Sequence, residues 1–120
     1  MLINLSNHPS NKWMPEQIKT AEKLYGKVTD IPFPFVDPKA SSDDIARFGK
    51  VYFDKIFEIS SGFEDFTVHI QGEFTLAFEL VTLLKNNGIK CIASTAKRNV
   101  IEKGNGEKII KFEFVQFREY

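Results

Sequence analysis

The sequence predicts one α/β domain with a mostly parallel, Rossmann-like sheet, helices on both faces and a C-terminal antiparallel β-hairpin. Three observations predict it. Short apolar runs alternate with segments of helical periodicity, which requires right-handed crossovers and a parallel sheet covered on both faces. The turn Gly104-Asn105-Gly106 separates two apolar segments, which signals a hairpin. The 120 residues suffice for one domain, spanning 1–120, and leave little chain for a second.

The elements follow in order. Residues 2–6 form a short apolar strand, and Ser6-Asn7-His8-Pro9-Ser10-Asn11 is a turn-rich loop. Pro15 suits a first helical position, Ile18, Ala21 and Leu24 follow at helical spacing, and Gly26 stops the helix. Segment 27–36 returns to strand character. Pro32 and Pro34 cannot donate ladder bonds, so only its beginning is expected to pair. Ser41, Ser42, Asp43 and Asp44 offer an N-cap and first-turn acids for an amphipathic helix through Ile45, Phe48, Tyr52, Ile56 and Ile59.

Segment 66–70 is the third strand and Gln71-Gly72-Glu73 a tight break. Segment 74–84 is apolar almost all round, so its helix is expected to be covered on several sides. Asn86-Asn87-Gly88 closes it. Segment 89–93 is the fourth strand, and Ser94-Thr95-Ala96-Lys97-Arg98 reads as a polar loop. Segments 100–102 and 108–117 make the hairpin, and the second has so few polar positions that burial on both faces is expected.

Sixteen basic residues balance sixteen acidic ones, which argues against a long nucleic acid as partner. A small anion is still admissible, because backbone N–H groups hold phosphate without net charge. Twelve phenylalanines imply an aromatic core or an oligomer interface. Cys91 lies alone in an apolar run, so neither an internal disulfide nor a Cys-based zinc site is expected. No apolar run approaches the roughly 20 residues that span a bilayer, and the N-terminal residues lack a basic leader. The expected location is the cytoplasm.

Open parallel sheets bind ligands at the carboxyl ends of their strands, near the point where strand order reverses. Three polar segments are expected there. Residues 6–12 bring His8, a candidate general acid or base, with Ser6, Asn7 and Lys12. Trp13 either stacks on a base or staples the first helix. Residues 71–75 bring Gln71, Gly72, Glu73 and Thr75 at a helix start, either as an anion-binding turn or as a tight βα turn capped by Thr75. Residues 94–98 bring Ser94, Thr95, Lys97 and Arg98, a phosphate contact or a solvated charged turn. His69 lies inside a strand and reads as a satisfied core or interface histidine. No G-x-G-x-x-G follows the first strand, and neither a P-loop nor a G-x-S-x-G elbow occurs. No metal or cofactor is implied.

At Ile70-Gln71-Gly72-Glu73-Phe74-Thr75, with Asn4-Leu5-Ser6-Asn7-His8 after the first strand, the chain resembles the CRISPR-associated Rossmann-fold (CARF) family. More narrowly, it is similar to small stand-alone members of the ring-nuclease type. The resemblance covers nearly the whole chain and implies a homodimer that binds cyclic oligoadenylate across its two-fold axis. It implies ligand contacts at Ser6, Asn7, Gln71, Gly72 and Thr75. Where many relatives have a second glycine and a basic residue after Thr, this chain has Glu73 and Leu76, which moves the cationic role to Lys12, Lys97 or Arg98.

The expected activity is metal-independent cleavage by the ribose 2′-hydroxyl, releasing a 2′,3′-cyclic phosphate. Arg98 and the 72–75 turn would serve phosphate, and His8 or Glu73 proton transfer. The rival expectation is a sensor or adaptor that binds a nucleotide or a protein without catalysis.

Overall fold

The computed structural model describes residues 1–63 and 65–120. Five strands, β1 (Leu2–Ser6), β2 (Val28–Pro32), β3 (Thr67–Gln71), β4 (Lys90–Glu102) and β5 (Lys108–Glu119), form one sheet in the order β2-β1-β3-β4-β5. The first four are parallel, and β5 runs antiparallel to β4. Three α-helices cover the sheet: α1 (Pro15–Tyr25), α2 (Ser42–Ile59) and α3 (Phe74–Asn86). Among the described residues, no helix is long and apolar enough to cross a membrane.

Strand parity separates two cores. Ile3, Leu5, Val68 and Ile70 point to one face and pack with Ile45, Ile56, Leu76, Leu80 and Leu84 of α2 and α3. Leu2 and Ile92 point to the other and pack with Trp13 and Ala21, the latter on α1. Helix starts behave as their residues dictate. Pro15 opens α1, and Ser41 and Asp44 form a reciprocal capping box on α2, at 3.1 and 2.9 Å. α2 and α3 approach closely at Gly49, where an added Cβ would lie 2.6 Å from Glu79 Cγ.

Three expectations are corrected. Segment 94–98 is not a loop, because β4 continues unbroken from Lys90 to Glu102, so the sheet has five strands rather than six. β5 is not covered on both faces. Beyond Ile92, β4 pairs only with β5, and the two strands leave the sheet as a ribbon on which Phe112 is 64% exposed and Val115 58%. The radius of gyration, 16.1 Å, accordingly exceeds the roughly 13.6 Å of a compact chain of this length. Helix α3 buries one stripe only: Leu76, Leu80 and Leu84 are inaccessible, while Phe74 and Phe78 stand in water.

Candidate functional site

The chain crosses from β1 to β2 on one side and returns to β3 on the other, so strand order reverses between β1 and β3. On the α1 side of the sheet, polar residues occupy the carboxyl-terminal positions of these strands: Asn4 and Ser6 on β1, His69 and Gln71 on β3. Ser94 of β4 completes the set. A cleft of about 180 Å³ opens above them, with His8, Gln17, Gln71, Ser94 and Thr95 offering polar groups and Phe112 and Phe114 an aromatic wall. His69 lies at its floor.

The polar groups form one connected network. The Asp30 carboxylate accepts from Asn4 Nδ2 at 2.7 Å, from Ser10 Oγ at 2.7 Å and from the Ser10 N–H at 3.1 Å. Asn4 Nδ2 also donates to the His8 carbonyl at 3.0 Å. Both partners are pure acceptors, so the amide orientation follows, and Asn4 Oδ1 faces His69 Nδ1 at 2.8 Å. His69 Nδ1 must therefore carry the proton, which leaves the lone pair of the neutral ring on Nε2. Ser94 Oγ, 2.7 Å away, donates to it. Gln17 Nε2, on α1, donates to Ser94 Oγ at 2.9 Å.

His69 is 1% exposed, and its ring meets Trp13 edge-on at 5.1 Å and Phe117 at 5.7 Å. Burial pushes its pKa from 6.5 down to about 4, with the neighbouring His8 acting in the same direction. At neutral pH the ring is uncharged and Nε2 is a hydrogen-bond acceptor.

Backbone geometry holds Ser94 in place. The β3–β4 ladder ends at His69 and Ile92. The Gln71 amide then takes over, accepting from the Ser94 N–H and donating to its carbonyl, both at 3.2 Å. A bulge follows in which Thr95 pairs with Gln116 and Ala96 with Phe114, leaving Val115 over. Thr95 Oγ1 patches the irregularity, donating to the Gln116 carbonyl at 3.1 Å and accepting from its N–H at 3.2 Å. The extra residue puts Phe114 beside Phe117, at 4.9 Å.

The residues singled out by sequence divide accordingly. His8, Gln71 and Thr95 line the cleft. The His8 backbone is pinned, its carbonyl facing Asn4 Nδ2, Ser6 Oγ and Trp13 Nε1 at 2.9–3.0 Å. Ser6 is buried within this network, and Asn7 lines a separate hollow with Asp30 and Phe33. Trp13, 6% exposed, is packed under His69 and is not free to stack on a base.

Glu73 does not face the cleft as a free acid. It caps α3, its carboxylate accepting from the N–H of Thr75 and Leu76 at 3.1 and 2.8 Å and from Thr75 Oγ1 at 2.8 Å. These bonds, the Leu76 N–H foremost, hold its carboxyl below the usual range. The helix terminus expected to receive phosphate through Gly72 and Thr75 is thus filled from within the chain. Gly72 serves packing, since a Cβ there would lie 2.5 Å from the Phe33 ring. Lys12 sits exposed on the 3-10 turn Ser10–Lys12. Lys97 and Arg98 ride out on the ribbon, Arg98 roughly 13 Å beyond Ser94 at about 3.3 Å per residue.

Sequence reasoning missed the roles of Asn4, Gln17 and Asp30, and read His69 as a satisfied core or interface histidine. The signal was strand parity, with polar residues at Asn4, Ser6, His69 and Gln71 between Leu5 and Ile70 on the opposite face. Among the described residues, no group of three or more His, Cys, Asp or Glu side chains is arranged to hold a metal ion.

A family model described as the uncharacterized protein MJ1673 family matches residues 1–118. Neither a curated protein nor a solved structure matches the chain.

Proposed function

The chain belongs to the uncharacterized protein MJ1673 family, and we propose that it is a metal-independent ring nuclease that binds and cleaves a cyclic oligoadenylate messenger of CRISPR antiviral signalling. The observation that carries this reading is the cleft at the β1/β3 reversal. Its wall combines amide, hydroxyl and imidazole groups with aromatic surface, and among the described residues no carboxylate lines it. That combination suits a nucleotide: the amides, hydroxyls and imidazole meet ribose and phosphodiester, and Phe112 and Phe114 meet a base. His8, held by its backbone at the cleft, is the group we assign to protonating the leaving oxygen.

One copy offers only part of a site. A cleft of about 180 Å³ is smaller than the roughly 300 Å³ at which pockets engulf small molecules, so it holds a nucleotide unit rather than a ring. A homodimer doubles it, and the ribbon supplies a contact surface, with Val100, Ile101, Ile110, Phe112 and Val115 exposed. In such a dimer the partner's cations supplement the polar groups of the cleft.

The test is incubation with cyclic tetra- and hexa-adenylate in EDTA, resolving the products. Linear fragments ending in 2′,3′-cyclic phosphate are expected. Binding without turnover would identify a sensor instead, and no binding of either ring would end the nucleotide reading.

A further inference from the structure

We propose that Asn4, His69 and Ser94 form a proton relay that activates the Ser94 hydroxyl, and that Ser94 takes the proton from the attacking ribose hydroxyl. The role in cleavage rests on the function proposed above, whereas the activation of Ser94 is a property of the chain itself.

Three features support the relay. First, each link has a defined donor. Asp30 and the His8 carbonyl orient Asn4, Asn4 Oδ1 fixes the His69 tautomer, and His69 Nε2 accepts from Ser94 Oγ. Second, all three links are short, at 2.7–2.8 Å, and the two that reach Ser94 run through Asn4 and His69, each 1% exposed. Third, the end of the relay is open. Ser94 lines the cleft, and with its proton given to His69 and one lone pair taken by Gln17, Oγ retains a lone pair for a further donor.

The step balances. The 2′-oxygen bonds to phosphorus as the bond from phosphorus to the 5′-oxygen breaks. The 2′-hydroxyl proton passes to Ser94 Oγ, the Ser94 proton passes to His69 Nε2, and the departing 5′-oxygen takes a proton from His8. The buried imidazolium that forms is offset by the phosphodiester charge beside it. The other titratable groups nearby are Asp30, reached through Asn4, and His8. Ser94 is then a catalytic residue, and His69 and Asn4 are positioning residues that act through it.

A fluorophosphonate probe tests activation without the messenger. Ser94 Oγ bonds to phosphorus, fluoride leaves, and the proton goes to His69. Wild-type chain, Ser94→Ala and His69→Gln are compared after circular dichroism has checked folding. Labelling of the wild type at Ser94, its loss in Ser94→Ala and a decrease of tenfold or more in His69→Gln are expected, on the order of a lost general base. No label at Ser94 in the wild type, or labelling of His69→Gln at the wild-type rate, overturns the relay.

If His69→Gln does not fold, the wild-type pH profile decides. Labelling that levels off above about pH 5 supports His69 as acceptor, and a rate still climbing about tenfold per pH unit through neutrality overturns it. Turnover of cyclic tetra-adenylate is read in parallel. Labelling without turnover in the wild type leaves the relay standing and removes the cyclic-oligoadenylate reading. Equal turnover in wild type and Ser94→Ala removes the relay from cleavage.

Discussion

Asn4 and His69 are register partners on adjacent parallel strands, and Asn4 Oδ1 accepts from His69 Nδ1 at 2.8 Å. This bond keeps a neutral imidazole in the protein interior and determines which of its nitrogens points at Ser94. Its first consequence is a pH dependence of folding.

His69 binds its proton at about 4 in the folded chain and near 6.5 when unfolded. Between these values the unfolded chain holds more protons, so stability falls as the pH drops. The contribution is fully present above about 6.5 and is lost progressively down to about 4, by roughly 3 kcal/mol in all. Urea titrations from pH 7.5 to 4 should show this slope, and His69→Gln should flatten it. Identical slopes in the two proteins would mean that His69 is not held neutral.

Asn4→Ala removes the group joining Asp30, His8 and His69. It leaves His69 Nδ1–H without its acceptor in a site where His69 is 1% exposed. Destabilisation by about 2–4 kcal/mol is expected, combining lost hydrogen bonds with an unsatisfied donor, and chemical denaturation measures it. A change below about 0.5 kcal/mol would show that the network adds nothing to stability.

Gly72→Ala forces a methyl group against the Phe33 ring, at 2.5 Å from the nearest ring atoms. The expected cost is about 1–3 kcal/mol. Because the overlap is with one side chain, Phe33→Ala should relieve much of it, and a double-mutant cycle should return a coupling of similar size. Additive effects would place the role of Gly72 elsewhere.

The ribbon residues Phe112 and Val115 are exposed in a single copy. If the protein is a homodimer joined there, Phe112→Ser with Val115→Ser should convert a two-chain species to one chain in sedimentation equilibrium. Its thermal unfolding should then lose concentration dependence. A wild type that sediments as one chain at every concentration would rule out this interface.

Much of the frame was readable from the order of residues, for reasons that particular segments make plain. Pro15 and Gly26 bracket α1, and Ser41 with Asp44 announces α2, because helix ends are local chemistry. Leu5, like Val68 and Ile70, alternates with polar neighbours because at these positions one face of the sheet is apolar and the other carries the network. The continuation of β4 was hidden. Ser94 to Arg98 carries the composition of a loop, since a strand that has left the core needs no apolar alternation. The apolar character of β5 misled in the opposite direction, because residues on a projecting ribbon look interior when read in a line.

The site was legible in part. Its location at the carboxyl ends followed from topology, but the opposition of Asn4 to His69 and the approach of Ser94 depend on registers between strands far apart in the chain. Nothing local distinguishes His69 from an inert interior histidine. Glu73 was misassigned because an acid at a helix start can be either ligand or cap, and only geometry separates the two.

The two faces of the sheet are chemically unequal, and this separates what holds the chain together from what lines the cleft. Leucine and isoleucine fill the larger cluster, between the sheet and the α2–α3 pair, while the layer beneath α1 combines Leu2, Trp13, Ala21 and Ile92 with the imidazole, amides and hydroxyls. Because neighbouring strand positions point to opposite layers, Asn4 can be exchanged without touching Leu5, and His69 without touching Ile70. The frame therefore keeps the residues of the polar network and those of the α2–α3 core on separate faces of the same strands.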